Sequence, residues 1–146
     1  MYPTRLDDKG RLKLPAGFQT FFHALREKTL FVTSLDRRLA LIFPMEIWRQ
    51  NERFFESYKE DPALLEALSF NAYDLGAETE MDAQGRILFP PELRRELGIE
   101  NGTLRIVAHK GKFQVLSEAL YAERKEKAIR LTAADLAKAE AAGLNV

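Results

Sequence analysis

Two short stretches of the chain carry the same order of apolar and polar positions. Leu6, Leu12 and Leu14 flank Asp7-Asp8-Lys9-Gly10-Arg11, and 75 residues later Met81, Ile87 and Phe89 flank Asp82-Ala83-Gln84-Gly85-Arg86. Alternation with period two predicts half-buried strands on either side of each polar segment. A Gly after polar residues predicts a tight hairpin tip, because Gly reaches positive φ without a steric penalty. Beyond each tip a proline, Pro15 or Pro90, opens a helical pattern. Phe18, Phe21, Phe22 and Leu25 share one helix face in the first copy, and Leu93 and Leu97 in the second. Each copy then offers two strand-like runs, 29–33 with 39–43 and 103–107 with 113–116. Turn residues Asp36-Arg37-Arg38 and Lys110-Gly111-Lys112 separate them.

A closing helix follows in each copy. After Pro44, the apolar stripe Ile47, Trp48, Phe54, Phe55 and Tyr58 is set off from Glu46, Arg49, Glu52, Arg53, Glu56 and Lys59 on the wet face. The second helix is expected to start near Ser117 and to bury Leu120, Tyr121, Ala128 and Leu131. An Ala-rich helix over 132–142 comes next, with Thr132 as N-cap and Gly143 beyond its end. The acidic connection is expected to hold a short helix around 62–70, with Gly76 returning the chain to extended form. The units are therefore 1–60, a linker 61–77, 78–131 and a helical tail 132–146. A unit of this size buries only about 60% of its extended-chain surface, so the two copies are expected to share one core. The pattern predicts an α+β fold in which two βαββ(α) units jointly build one small β-barrel with helices outside.

The 146 residues suit one ordinary domain, or two small repeated ones. Hydrophobic residues at 46% and charged ones at 30% exclude wholesale disorder. The longest apolar run, 39–43, stops at Pro44, far short of the roughly 20 residues that a membrane-spanning helix needs. MYPTRLDDKGR shows no apolar stretch of the secretory kind, so a cytoplasmic location is expected. No cysteine is present, which excludes disulfides, thiolate metal sites and cysteine nucleophiles. His23 and His109 stand in unrelated contexts, and neither a Gly-rich phosphate loop nor metal-ligand spacing occurs. No enzymatic activity, cofactor, metal, small-molecule substrate or membrane partner is expected.

Net charge is zero but segregated: +4 over residues 1–45, −7 over 46–82, +3 over 83–113 and zero over 114–146. A neutral chain can thus still present a basic surface. Strand alternation sets Arg11 and Lys13 on the face opposite Leu12 and Leu14, so Arg5, Lys9, Arg11 and Lys13 crowd one hairpin. In the second copy Arg86 keeps its place, while Lys9 is replaced by Gln84 and Lys13 by Leu88. Two roles remain open for the arginines. Each can be held by the Asp four residues earlier, Asp7 or Asp82, merely to stabilise the hairpin, or it can offer its nitrogens to a nucleic acid. Asp7, Gly10, Asp82 and Gly85 read as structural members of the motif.

LDDKGRLKLPAGF, GAETEMDAQGRILFPPELRRELGI and their tandem arrangement resemble the MraZ family, built from two copies of the SpoVT/AbrB swapped-hairpin DNA-binding element. The resemblance covers nearly the whole chain. It implies two swapped-hairpin AbrB-like units and a nucleoid-associated bacterial transcriptional regulator, expected to be a repressor, at the promoter of the division and cell wall gene cluster. It further implies a homo-oligomeric ring that binds direct repeats in double-stranded DNA. Arg11 and Lys9 fall on the family's main DNA contacts, and Arg86 matches Arg11 in the second motif. Arg5, Lys13 and Gln84 complete the expected DNA-binding set, with Arg11 reading guanine and the lysines holding phosphates. Only Met1 to Arg5 precede the first motif, where family members usually carry several more residues, including a Gly. Two alternatives accompany this reading. One is an oligomeric protein-interaction module whose basic hairpins meet a neighbour's acidic linker; the other is an AbrB-type antitoxin, a class that usually has one motif copy.

Overall fold

The computed structural model describes residues 1–146. The first copy contains β1 (Tyr2–Thr4), β2 (Arg11–Lys13), α1 (Ala16–Ala24), β3 (Thr29–Thr33), β4 (Ala40–Pro44) and α2 (Met45–Ser57). After α3 (Pro62–Leu75), the second contains β5 (Ala77–Glu80), β6 (Arg86–Leu88), α4 (Pro91–Leu97), β7 (Leu104–His109), β8 (Lys112–Leu116) and α5 (Glu118–Ala128), and α6 (Ala133–Ala141) ends the chain. The class is α+β, with helices outside the strands.

The copies are interleaved rather than adjacent. The main sheet runs β1-β7-β8-β4-β3-β5, all pairs antiparallel, so each copy's first strand extends the hairpin of the other copy. The two hairpins meet through β4 and β8, with Leu41 opposite Gln114. The second strands form a separate two-stranded ribbon in which Arg11 faces Leu88, Leu12 faces Ile87 and Lys13 faces Arg86. The register is reciprocal about Leu12 and Ile87, so an approximate two-fold axis passes through the centre of the ribbon.

Alternation explains the two cores. Leu30, Val32, Ala40, Ile42, Leu104, Ile106, Phe113 and Val115 point from the sheet toward Leu12, Leu14, Ile87 and Phe89 around the ribbon. The intervening positions Phe31, Leu41, Phe43 and Leu116 point to the opposite side, where Met45, Trp48, Ala72 and Leu120 cover them. Being buried on both faces, β4 reads as an unbroken apolar run instead of an alternating one. Trp48 anchors the second core, stacked on Phe31 at 4.2 Å between ring centres.

Several expectations need adjustment. The strands do not close into one hydrogen-bonded barrel. The sheet is open at β1 and β5, and each of these edge strands passes through a motif turn into the ribbon, which lies over the inner core. Between β1 and β2 only Leu6 and Leu12 bridge, because the arms are three residues long and leave the sheet at once. The strand before the first motif is short but present, paired with β7. The helix of the acidic segment continues past Phe70 to Leu75, since Ala72 and Leu75 reach the two cores and Thr33 donates to the Ala72 carbonyl at 2.7 Å. Pro15 and Pro90 occupy N-cap positions, and Pro91 takes the first helical turn.

At the C-terminus Leu120 is buried, as expected, but Ala128 is exposed and Leu131 is 64% exposed. The helix α5 touches β7 and β8 through its first turns and then runs beyond the sheet. Thr132 caps α6 in a reciprocal box with Asp135, and Gly143 takes φ +112°, yet α6 buries no side chain. No helix is long and apolar enough to cross a membrane.

Candidate nucleic-acid interface

The two motif turns are built from the same five hydrogen bonds. In the first, the Asp7 amide donates to the Arg11 carbonyl at 2.9 Å and the Gly10 amide to the Asp7 carbonyl at 3.0 Å. Asp7 Oδ1 accepts from the Lys9 and Arg11 amides at 3.0 and 2.9 Å, and Oδ2 accepts from Arg11 Nε at 2.7 Å. Asp82, Gln84, Gly85 and Arg86 repeat the set, with Arg86 Nε 2.8 Å from Asp82 Oδ2. The aspartate is thus a local cap: a short carboxylate can satisfy amides two and four residues on.

The turns also hold each other. The Leu14 amide donates to the Gly85 carbonyl and the Phe89 amide to the Gly10 carbonyl, both at 2.9 Å. Gly10 and Gly85 take φ +81° and +75°. Each is pressed from one side: a Cβ on Gly10 would meet Arg94 Nη1 at 1.9 Å, and one on Gly85 would meet Gln19 Cδ at 2.2 Å. Glycine is therefore required at both tips by backbone angle, and the flexible end of a side chain fills the space that its missing Cβ leaves.

This construction places the expected cations. Arg11 and Arg86 have side chains 28% and 25% exposed, held by Nε while their Nη groups make no hydrogen bond within the protein. Arg86 Nη1 lies 3.9 Å from Asp7 Oδ2, linking one turn to the other. Lys13 crosses the axis and donates to the Gln84 carbonyl. Alternation leaves Arg11, Lys13, Arg86 and the half-exposed Leu88 on the outer side of the ribbon, with Leu12 and Ile87 beneath. Lys9 and Gln84 project at the tips as exposed residues. Arg5 stands apart from the tips, sharing with Tyr2, Thr4, Lys13 and Thr103 a shallow cleft of about 590 Å³. Arg94 was not among the sequence candidates, although the spacing of 75 residues that aligns the motifs also aligns it with Gln19.

Both aspartates titrate below the ordinary carboxylate range. For Asp7 the largest cause is the hydrogen bond from the Arg11 amide, opposed by desolvation and reinforced by the Arg11 guanidinium and the Lys9 amide; Asp82 follows the same order with Arg86 and Gln84. A carboxylate with a depressed folded pKa contributes stability that is present above its unfolded value, about 3.9, and is lost as pH falls through the folded value. The stability difference between the wild type and Asp7→Asn/Asp82→Asn is therefore expected to be constant near neutrality and to shrink below about pH 4. Paired thermal melts across that range measure it, and a difference that stays constant down to pH 2.5 contradicts the turn assignment.

The family model described as "MraZ protein, putative antitoxin-like" matches residues 76–141, the second copy with the start of the tail. Relatives named "Transcriptional regulator MraZ" match more broadly. The chain is similar to that of Koribacter versatilis at 37% identity over 101 residues, 68% of each chain. To that of Thermus thermophilus it is 31% identical over 118 residues, 80% of this chain and 79% of the relative. The chain belongs to the MraZ family. A further MraZ relative, from Acidobacterium capsulatum, is 40% identical over 94 residues, and the match spans 64% of each of the two chains. Where the family model starts, at residue 76, is also where α3 ends and the second MraZ copy begins its first strand.

Proposed function

We propose that this MraZ chain is a DNA-binding transcriptional regulator without catalytic activity. The observation that carries the reading is the ribbon. Two motif turns bonded head to head put Arg11, Lys13 and Arg86 on one outward side, with Lys9 and Gln84 at the tips. A two-stranded ribbon fits a major groove about 12 Å wide. The free Nη groups of Arg11 suit the O6 and N7 acceptors of guanine, Lys9, Lys13 and Arg5 suit phosphates, and the Gln84 amide suits an adenine edge. Arg86 reads or grips from the second turn. The units 1–60 and 78–131 act as the paired SpoVT/AbrB-like elements, with 61–77 between them and 132–146 as a tail.

The finer reading follows the family resemblance: repression at the promoter of the division and cell wall gene cluster, through direct repeats bound by a nucleoid-associated ring of copies. Self-association is supported by apolar side chains that the protomer leaves exposed, Leu64, Phe70 and Tyr73 on α3 and Ile129, Leu131 and Leu136 toward the tail. Avidity favours such an arrangement. One copy with a few phosphate contacts binds at about 10⁻⁴ to 10⁻⁶ M, and linked sites gain factors of about 10² to 10⁴.

Sizing the purified protein with and without its own upstream duplex, across a salt series, tests the proposal. A complex whose affinity falls with a steep log-log salt slope supports a DNA reader. Absence of a complex, with salt dissociating the subunits instead, points to a protein-interaction module.

A further inference from the structure

The two turns share a backbone, but what lies behind each tip differs. Behind Gly85 the Gln19 amide donates from Nε2 to the Leu14 carbonyl at 2.8 Å, so it is satisfied within the protein. Behind Gly10 the equivalent residue is Arg94, on α4 of the other copy. Its side chain is only 15% exposed, its Nε is buried with no partner, and its one acidic neighbour, Glu100, is half exposed and 3.7 Å from Nη1. A guanidinium removed from water without a close counter-ion is costly. Here it stands directly beneath the tip that carries Lys9, whereas the tip carrying Gln84 stands over an uncharged amide.

We infer that Arg94 belongs to the binding surface of the first turn and makes the two tips unequal: a guanidinium backs the first, beside Asp8 and Lys9, and an uncharged amide backs the second, where the Lys13 ammonium reaches the Gln84 carbonyl. A protomer then lies on the duplex in one direction only, despite its internal two-fold. The inference rests on the DNA-binding reading above. Its chemistry is that of positioning and charge: Arg94 backs the Gly10 peptide and raises the potential at the Lys9 tip, and an incoming phosphate adds a second anion to a guanidinium whose only ion pair is the loose one with half-exposed Glu100. Lys13 brings its ammonium to the Gln84 carbonyl of the second tip, so what sets the tips apart is the guanidinium behind the first, where the second has the Gln19 amide.

Arg94→Gln installs the residue that the second copy already accommodates in the same place, so the fold is expected to persist. Affinity for a duplex carrying the chain's own upstream repeats should fall about tenfold, and the log-log salt slope should drop by about 1. Arg94→Lys should restore the slope, which a purely steric role behind Gly10 would not allow. Because the chain lacks cysteine, Asp8→Cys and Ala83→Cys each give a single attachment site for an iron chelate that cleaves nearby DNA. Cleavage from position 8 should map to one side of each repeat and from position 83 to the other. Unchanged affinity and slope in Arg94→Gln, or equal cleavage on both sides from each position, overturns this inference alone if the wild type still binds and still needs Arg11. Failure of the wild type to bind overturns both readings.

Discussion

Replacing Arg11 by Ala is expected to abolish specific binding to the upstream duplex while leaving the protein folded. The backbone bonds of the turn and the Asp7 bonds to the Lys9 and Arg11 amides involve no part of the Arg11 side chain beyond Cα. What the fold loses is a partly exposed ion pair, Arg11 Nε to Asp7 at 2.7 Å, and such solvent-screened pairs add little to stability. The binding face loses its central fork. A bidentate contact to guanine contributes about 1–3 kcal/mol of discrimination, or roughly 5- to 150-fold per site. In an assembly that engages several repeats the losses multiply. A gel shift alongside a sizing run separates the two effects. Retained shift with Arg11→Ala contradicts the assignment, and loss of the folded protein assigns Arg11 to structure instead.

Separating the copies is expected to abolish the monomeric fold. Expressed apart as 1–60 and 61–146, neither piece should give a folded monomer, and mixing them should restore the cooperative melt of the intact chain. The inner core explains why. Of its 17 buried residues, eight lie between Leu6 and Ile42, eight between Ile87 and Val115, and Leu75 comes from α3. Alone, the first piece would leave eight such side chains facing water and the second nine. At about 1.5–3 kcal/mol for each large side chain, the loss is comparable to or larger than the roughly 5–15 kcal/mol by which domains are stable. The strand exchange adds to the loss, since β1 without β7 and β3 without β5 have unpaired edges. The internal two-fold leaves one escape: a half could pair with a second copy of itself. Folded material from a single half should therefore be dimeric, and a monomeric half with a cooperative melt contradicts the shared core.

Much of this was legible in the sequence, for local reasons. The turn at Asp7 to Arg11 is written in short-range chemistry, a carboxylate capping amides and a glycine at positive φ, so its recurrence at Asp82 to Arg86 announced a second identical tip. The helix starts at Ser117 and Thr132 were visible for the same reason, because a capping hydroxyl acts within three residues. Partner choice among strands was not visible. The pattern at Tyr2 to Thr4, none of them buried, carries no label for β7, a strand some hundred residues away. The α3 stripe looked shorter than it is, because Phe70 and Tyr73 stay exposed while small Ala72 makes the contact. Leu131 looked buried on composition alone, yet no element lies beneath that end of α5. At the candidate site, the six residues expected from the sequence fall within or beside the ribbon, with Arg5 set off in its cleft. Arg94 stayed hidden because it reaches the first turn from a helix of the other copy, a contact that exists only once the strands have exchanged.

Hydrogen exchange of the full chain, followed by mass spectrometry with and without its upstream duplex, tests the central claim most directly. New protection is expected in peptides covering residues 5–14 and 80–89, the two turns and the ribbon, with the acidic segment 61–75 unchanged. Protection centred on 61–75 or on the tail, with the motif turns exchanging as fast as in the free protein, would contradict it.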